Sequence, residues 1–170
     1  MPDSSQRLTR LDKAIRRLKA QRACLDWAAI EIASVPGVVV ELGLGNGRSF
    51  DHLRARLPDR DIYVFERSVG AHPDTVPVAD RLILGDIEET LPRMRPHFAG
   101  RVALMHSDIG TGDDARNDRI AAWLGPELLP LLAPGGVVAS DQKLAALADV
   151  AAPLPEGVGE NRYYLYRVPR

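Results

Sequence analysis

The sequence is short of the features that mark several large protein classes. Its single cysteine, Cys24, leaves no partner for an internal disulfide and no basis for a Cys-based zinc cluster. No apolar run approaches the roughly 20 residues that a membrane span needs. Internal repeats and low-complexity tracts are missing too. With a formal net charge of −1, the chain lacks the basic excess of a nucleic-acid binder. The expectations are therefore a cytoplasmic protein with a reduced thiol and neither membrane nor nucleic acid as partner. The rest of the composition, 45% hydrophobic and 26% charged, excludes disordered and fibrous classes. A length of 170 residues gives room for one domain, expected over 1–170 with 1–36 as a helical extension.

Charge is unevenly spread. Residues 1–22 carry seven basic side chains (Arg7, Arg10, Lys13, Arg16, Arg17, Lys19, Arg22) against Asp3 and Asp12, near +5, which leaves the remainder near −6. Leu8, Leu11, Ile15, Leu18, Leu25 and Ile32 recur at helical spacing, so a long amphipathic helix is expected over 5–34. Its basic side reads as a solvated face, and the helix itself as a possible homodimer contact. Cys24 and Trp27 fall on it as core or interface residues.

Beyond Pro36-Gly37, short β-rich runs alternate with helical patterns. Strands are expected at 38–40, 62–65, 81–84, 102–105, 137–139 and 163–168. Helices are expected after the glycine loop, over 87–99, and through Ile120 to Leu132, the last ended by Pro134-Gly135-Gly136. Asp113-Asp114 suit the start of that third helix, where acids favour the dipole. A short helix is expected at 143–148, and 68–80 reads as a loop. The pattern implies an α/β Rossmann-like three-layer sandwich. Its sheet would be mostly parallel, with an antiparallel C-terminal edge strand after a loop too tight for another crossover.

The strongest local signal is Glu41-Leu42-Gly43-Leu44-Gly45-Asn46-Gly47, between the first strand and a helix. Glycines there let backbone approach a ligand and aim helix N–H groups at it. Glu66 ends the second strand 19 residues after Gly47, where an acid can accept from both ribose hydroxyls. The spacing is G-x-G-x-G, not the G-x-G-x-x-G of dinucleotide sites. Glu41 beside the loop would repel a pyrophosphate and suits a cationic ligand.

These residues resemble class I S-adenosylmethionine-dependent methyltransferases, from about Val38 to Val168. Glu66 matches that family's second-strand acid, Asp86 its third-strand acid, Met105-His106-Ser107-Asp108 its fourth-strand motif, and Leu132-Ala133-Pro134-Gly135-Gly136 its lead-in to the fifth strand. The resemblance implies that Gly43, Leu44, Gly45, Asn46 and Gly47 wrap the methionine part, Glu66 the ribose, and Asp86 with the Ile87 backbone the adenine, with Glu41, Arg67 and Ser107 also counted among the cofactor-binding residues. Departures are a reduced second crossover, no inserted acceptor domain and no N-P-P-Y-type motif.

In-line transfer from a sulfonium needs alignment and water exclusion, and a base only if the acceptor must lose a proton. His106, Asp108 and Asp141, all at carboxyl ends of strands, are the candidate bases. Asp108 and Asp141-Gln142 stand where magnesium-dependent O-methyltransferases hold Mg²⁺, but Gln142 replaces an Asn or Asp and Gly110 an acid of some relatives, so a metal is not the expectation. The expected activity is methyl transfer from S-adenosyl-L-methionine to a small molecule. A non-catalytic S-adenosylmethionine-binding subunit or sensor, and less so an NAD(P)-dependent oxidoreductase, stay open as alternatives.

Overall fold

The computed structural model describes residues 8–170. Elements run α1 (Arg10–Glu31), β1 (Val38–Leu42), α2 (Arg48–Arg56), β2 (Ile62–Glu66), β3 (Leu82–Leu84), α3 (Ile87–Phe98), β4 (Val102–Ser107), α4 (Asp114–Leu128), β5 (Leu132–Ser140), β6 (Ala151–Ala152) and β7 (Tyr164–Arg167). One sheet orders them β3-β2-β1-β4-β5-β7-β6. The first five strands are parallel and β7 runs antiparallel to β5; the segment between them is long enough for a crossover but holds only a 3₁₀ stretch and β6. The two-residue β6 pairs outside β7, so β7 is one strand in from the true edge.

Alternation within the strands builds the layers. Val39, Val64, Leu104, Val137 and Ala139 pack on one face with Leu25 and Ala28 of α1 and Phe50 and Leu53 of α2. Their neighbours Val40, Phe65, Met105 and Val138 point to the other face, against Leu91 and Phe98 of α3 and Leu124 and Leu128 of α4. Val39 and Val40 are both fully buried, which explains an unbroken β-branched run at the sheet centre. The Rossmann-like expectation is met.

Boundaries shift for local reasons. The first helix starts at Arg10 because Thr9 and Asp12 form a reciprocal capping box, Asp12 N–H to Thr9 Oγ1 and Thr9 N–H to Asp12 Oδ2, each 3.0 Å. It is also shorter than the expected 5–34, and residues 5–7, with Asp3 and Arg7 of the basic segment, lie outside the described residues. Its amphipathic stripe divides: Cys24, Leu25 and Ile32 are buried, while Leu11 and Ile15 are 68% and 42% exposed. Pro134-Gly135-Gly136 does not terminate a helix. It is a bulge inside β5, where the register moves from Val102↔Leu132 to Leu104↔Val137. A Cβ on Gly136 would lie 2.8 Å from the Ala133 carbonyl oxygen, so the bulge is closed to larger residues. The segment expected as a helix at 143–148 is a 3₁₀ stretch, Ala145–Val150. Asp113 caps α4 through the Arg116 N–H, and 68–80 holds only a 3₁₀ turn at Pro73–Thr75 and the start of another at Ala79–Arg81.

The last turn of α1 has no basic residue of its own. Arg60, before β2, serves instead: its guanidinium donates to the carbonyls of Ile32 (2.8 Å), Val35 (2.7 Å) and Gly37 (2.9 Å). One side chain thereby satisfies orphan acceptors after the helix and pins α1 to the sheet. Arg60→Ala is expected to lower unfolding stability by about 2–3 kcal/mol in a urea titration. A change within error would deny Arg60 this role.

Candidate functional site

Strand order reverses between β1 and β4, and ligands of such sheets bind at the carboxyl ends beside that switch point. Leu42 there continues into the glycine loop, whose three glycines all have positive φ. Gly47, at φ +77°, is the N-cap of α2, and a Cβ on it would lie 2.3 Å from Thr75 Oγ1. Gly45, at φ +51°, differs: a Cβ there meets nothing within 4 Å and would project into open space. The loop is thus closed behind Gly47 and open in front of Gly45.

Glu66 sets the loop's shape. Its Oε2 accepts from the backbone N–H of Leu44 (2.7 Å) and Gly45 (3.1 Å), its Oε1 from those of Arg67 (2.7 Å) and Ser68 (3.1 Å). Partial burial pushes its carboxyl up, but the four donors outweigh that and hold it below the usual carboxylate range. A carboxylate has about four lone-pair sites, so this one is fully occupied by backbone.

Two compartments meet at Gly43, Gly45 and Asp108. The larger, about 280 Å³, is walled by Phe65, Glu66, Arg67, Asp86, Ile87 and the 108–111 turn, with Arg116 and Ile120 of α4 opposite. Asp86 also caps α3, accepting from Glu88 N–H at 3.0 Å. The smaller, about 130 Å³, lies between Asn46, Arg48 and Ser49 on one side and Arg17, Leu18 and Gln21 of α1 on the other.

Beneath the loop a polar track crosses the sheet under α1. Glu41 is wholly buried; its Oε1 accepts from Ser49 Oγ and faces His106 Nδ1 at 3.0 Å, while its Oε2 has no partner. His106 is equally buried, and its Nε2 meets the Tyr163 hydroxyl. Gln21 Nε2 donates to Asp108 Oδ2 at 2.7 Å, and Arg17 lies 3.5 Å from the same oxygen. Asp141 accepts from Gly110 N–H at 2.9 Å, with Oδ1 unpartnered. Burial, then the charge of Asp108, pushes the Asp141 carboxyl up to about 6.

The three candidate bases therefore differ in access. Asp108 lines both compartments, Asp141 sits behind it, and His106 is enclosed by the sheet and Tyr163. Ser107 faces the α3–α4 side, buried with Oγ unpartnered, and lines neither compartment. Trp27 packs on the α1–α2 core, and burial pushes the Cys24 thiol up to about 12. Asp108 and Asp141 have no third acid or histidine converging with them: among the described residues no group of three His, Cys, Asp or Glu could hold a metal. Gly110 faces Asp141 so closely that a Cβ would lie 2.3 Å from Oδ2, so any side chain at that position would have to displace the Asp141 carboxylate. Sequence reasoning missed Arg17, Gln21, Arg116 and Tyr163. Only Gln21 carried a signal, a polar residue on the buried stripe three places after Leu18.

A family model described as S-adenosyl-L-methionine methyltransferase matches residues 8–168. The crystal structure of an S-adenosyl-L-methionine methyl transferase from Silicibacter pomeroyi DSS-3 is 43% identical, with 95% of this chain and 99% of that one covered and a TM-score of 0.88. Human methyltransferase-like protein 13, in complex with SAH, is 14% identical over 91% of this chain and 81% of its own, with a TM-score of 0.52. The plantazolicin methyltransferase BpumL, also with SAH, is 14% identical over 76% of this chain and 48% of its own, with a TM-score of 0.50. At such identity the last two show the fold alone. No curated protein matches the sequence.

Because the folded state raises the Asp141 carboxyl from its ordinary 3.8 to about 6, it binds that proton more tightly than the unfolded chain. Stability contributed here falls as pH rises from about 4 to 6, and the cost is complete above that window. Asp141→Asn, neutral and still able to accept from Gly110, is expected to stabilise the protein by about 1–3 kcal/mol at pH 7.5 and not at pH 4. Equal melting shifts at both pH values would contradict the assignment.

Proposed function

The chain belongs to the S-adenosyl-L-methionine methyltransferase family, and from that premise we propose that it transfers the methyl group of S-adenosylmethionine to a small-molecule acceptor over the carboxyl ends of β1 and β4. The observation that carries this reading is the open space in front of Gly45, where a donor can lie against bare backbone between the two compartments.

The side chains around that space suit an adenosine-bearing cation. Glu66, Asp86, Glu88 and Asp108 outnumber Arg67 and Arg116 around the larger compartment, a net negative set that favours a sulfonium and an ammonium over a pyrophosphate. Glu66 and Arg67 would hold the ribose and Asp86 with Ile87 the adenine, while Gly43 to Gly47 would receive the methionine part with Glu41 beneath. Any ribose hydroxyl reaching Glu66 must share a carboxylate that already holds the loop.

When bound, the sulfonium supplies an electrophilic methyl and a neutral thioether leaving group, so alignment and exclusion of water do most of the work. Arg17, Leu18 and Gln21 cover the smaller compartment and shield it. Asp108, backed by Asp141, is the group placed to take a proton from an acceptor hydroxyl or amine. Behind it, burial and then the charge of Asp108 push the Asp141 carboxyl up to about 6, so the acid next to the base is itself poised to hold a proton near neutrality. His106, fully enclosed, is given no contact with the acceptor.

The acceptor enters over the 108–111 turn and the residues after β5. The same reading takes 1–170 as one domain working in the cytoplasm. Among the described residues no helix is long and apolar enough to cross a membrane. Exposed Leu11 and Ile15 make the first half of α1 the surface proposed for a homodimer, checked by sedimentation with Leu11→Lys.

Calorimetry with S-adenosylhomocysteine and NADH tests the donor: the first is expected to bind and the second not, and the reverse would overturn the reading. Gly45→Val is expected to abolish binding, since a side chain would fill the donor's space. Glu66→Ala is expected to weaken it by about 1.5–3 kcal/mol, as for hydrogen bonds to a charged group. Turnover is checked by release of S-adenosylhomocysteine across an acceptor panel.

A further inference from the structure

A second groove runs along α1 and shares no lining residue with the donor cleft. It encloses about 540 Å³ between the helix and the loop that precedes β7. Arg16, Lys19 and Arg22 line it from the helix and Arg162 from the loop, with Glu156 the one acid among its lining residues. Residues at i, i+3 and i+6 are successive neighbours on a helix surface, so the three helical cations repel one another. The acids of α1 are engaged elsewhere: Asp12 in the Thr9 cap, Asp26 with His52 and Arg56, and Glu31 with Arg167. Among the described residues none of the four groove cations makes an ion pair. Like charges left unrelieved cost the free protein stability, which a bound anion restores.

Both walls are fixed before any ligand arrives. Ala20 is buried, and small side chains at 20 and 23 leave the groove open between the cations. Across from the helix, Val158 N–H donates to the Pro155 carbonyl at 3.1 Å, closing a turn whose third residue, Gly157, has φ +81°. Val158 packs on the core that holds Leu25 and Ala28, which ties the turn to α1. A Cβ on Gly157 would meet nothing within 4 Å, so bare backbone borders the open space.

The donors select the ligand's chemistry. Three of the four cations are arginines, whose planar forks match the oxygens of phosphate. At a rise of about 1.5 Å per residue, Arg16 and Arg22 stand ~9 Å apart along the helix axis, more than one phosphate covers. Among the described residues no aromatic side chain lines the groove, so it offers no platform on which a nucleic-acid base could stack.

We propose that this groove is an anion site for a small ligand bearing two or more linked phosphates, held between α1 and the 156–162 loop and separate from the methyl-donor cleft. The site stands independently of methyl transfer. A ligand bound there clamps the loop to the same stretch of α1 whose Arg17 and Gln21 reach Asp108.

Calorimetry of the whole chain with inorganic triphosphate in low-salt buffer tests the site. One equivalent is expected to bind, with orthophosphate at least about tenfold weaker and affinity falling as salt screens the charges. Lys19→Glu and Lys13→Glu make the same charge change at exposed positions of one helix, but only Lys19 lines the groove. The first is expected to weaken triphosphate binding by about tenfold to a hundredfold, the second by less than about threefold. Equal losses in the two variants, or no binding to wild type, overturn the site. Tighter binding of a mixed-sequence single-stranded oligonucleotide than of triphosphate also overturns it, by making the groove a nucleic-acid surface. ATP is titrated in parallel: its binding identifies a nucleotide's phosphate chain as a source, whereas triphosphate binding alone identifies free polyphosphate, and both support the site. Should Lys19→Glu fail to fold, Arg162→Glu repeats the test from the loop. S-adenosylhomocysteine affinity is expected to be unchanged in Lys19→Glu, and a loss matching that for triphosphate overturns the separation of the two sites. Failure of the wild type to bind S-adenosylhomocysteine refutes the functional reading and leaves the groove standing.

Discussion

The site depends on one carboxylate. Glu66 gathers four backbone N–H groups, two from the glycine loop and two from the turn after β2, and so ties the ends of adjacent strands into a single floor. Without such an acceptor those donors would face the cleft unpaired, and a loop with three positive-φ glycines would have little to hold it in one shape. The sheet supplies the other half of the constraint. Gly43 N–H donates to the Phe65 carbonyl at 2.8 Å and Asp108 N–H to that of Leu42 at 3.2 Å, so strand pairing runs to the rim of the cleft.

On this floor two kinds of acid are kept apart by burial. Glu66 and Asp86 face the larger compartment and carry structural duties as well, loop acceptor and helix cap. Glu41 and Asp141 lie deeper, each with one oxygen unpartnered. The asymmetry has a chemical consequence: acids at the surface of the cleft attract a cation, whereas a buried acid beside another can hold a proton near neutrality. Asp108 stands at the junction, reached by Arg17 and Gln21 from α1 on one side and by the influence of Asp141 on the other. The first helix is therefore a wall of the site along its middle turns and an exposed, basic projection before them.

Much of the architecture was legible because its causes are local. Val38-Val39-Val40 could bury only at a sheet centre, and a G-x-G-x-G loop after such a strand called for a ligand. Where expectation failed, a distant partner intervened. Pro134-Gly135-Gly136 reads as a helix stop, yet β4 draws it into β5 as a bulge. Leu11 and Ile15 continue an apolar stripe past the point where the sheet ends, so the spacing is right and the burial is missing.

By itself, then, the sequence determined the alternation of strands and helices, the glycine loop with its acid 19 residues on, and a cluster of polar residues at the ends of the fourth and fifth strands. Tertiary structure alone decided which of those polar residues can meet a ligand. His106 and Asp108 are two positions apart, yet one is sealed between Glu41 and Tyr163 while the other opens onto the cleft. The difference comes from what covers each side chain. Tyr163 lies 57 residues away in the chain and Gln21 lies 87 residues from Asp108, separations at which no spacing rule carries information about contact.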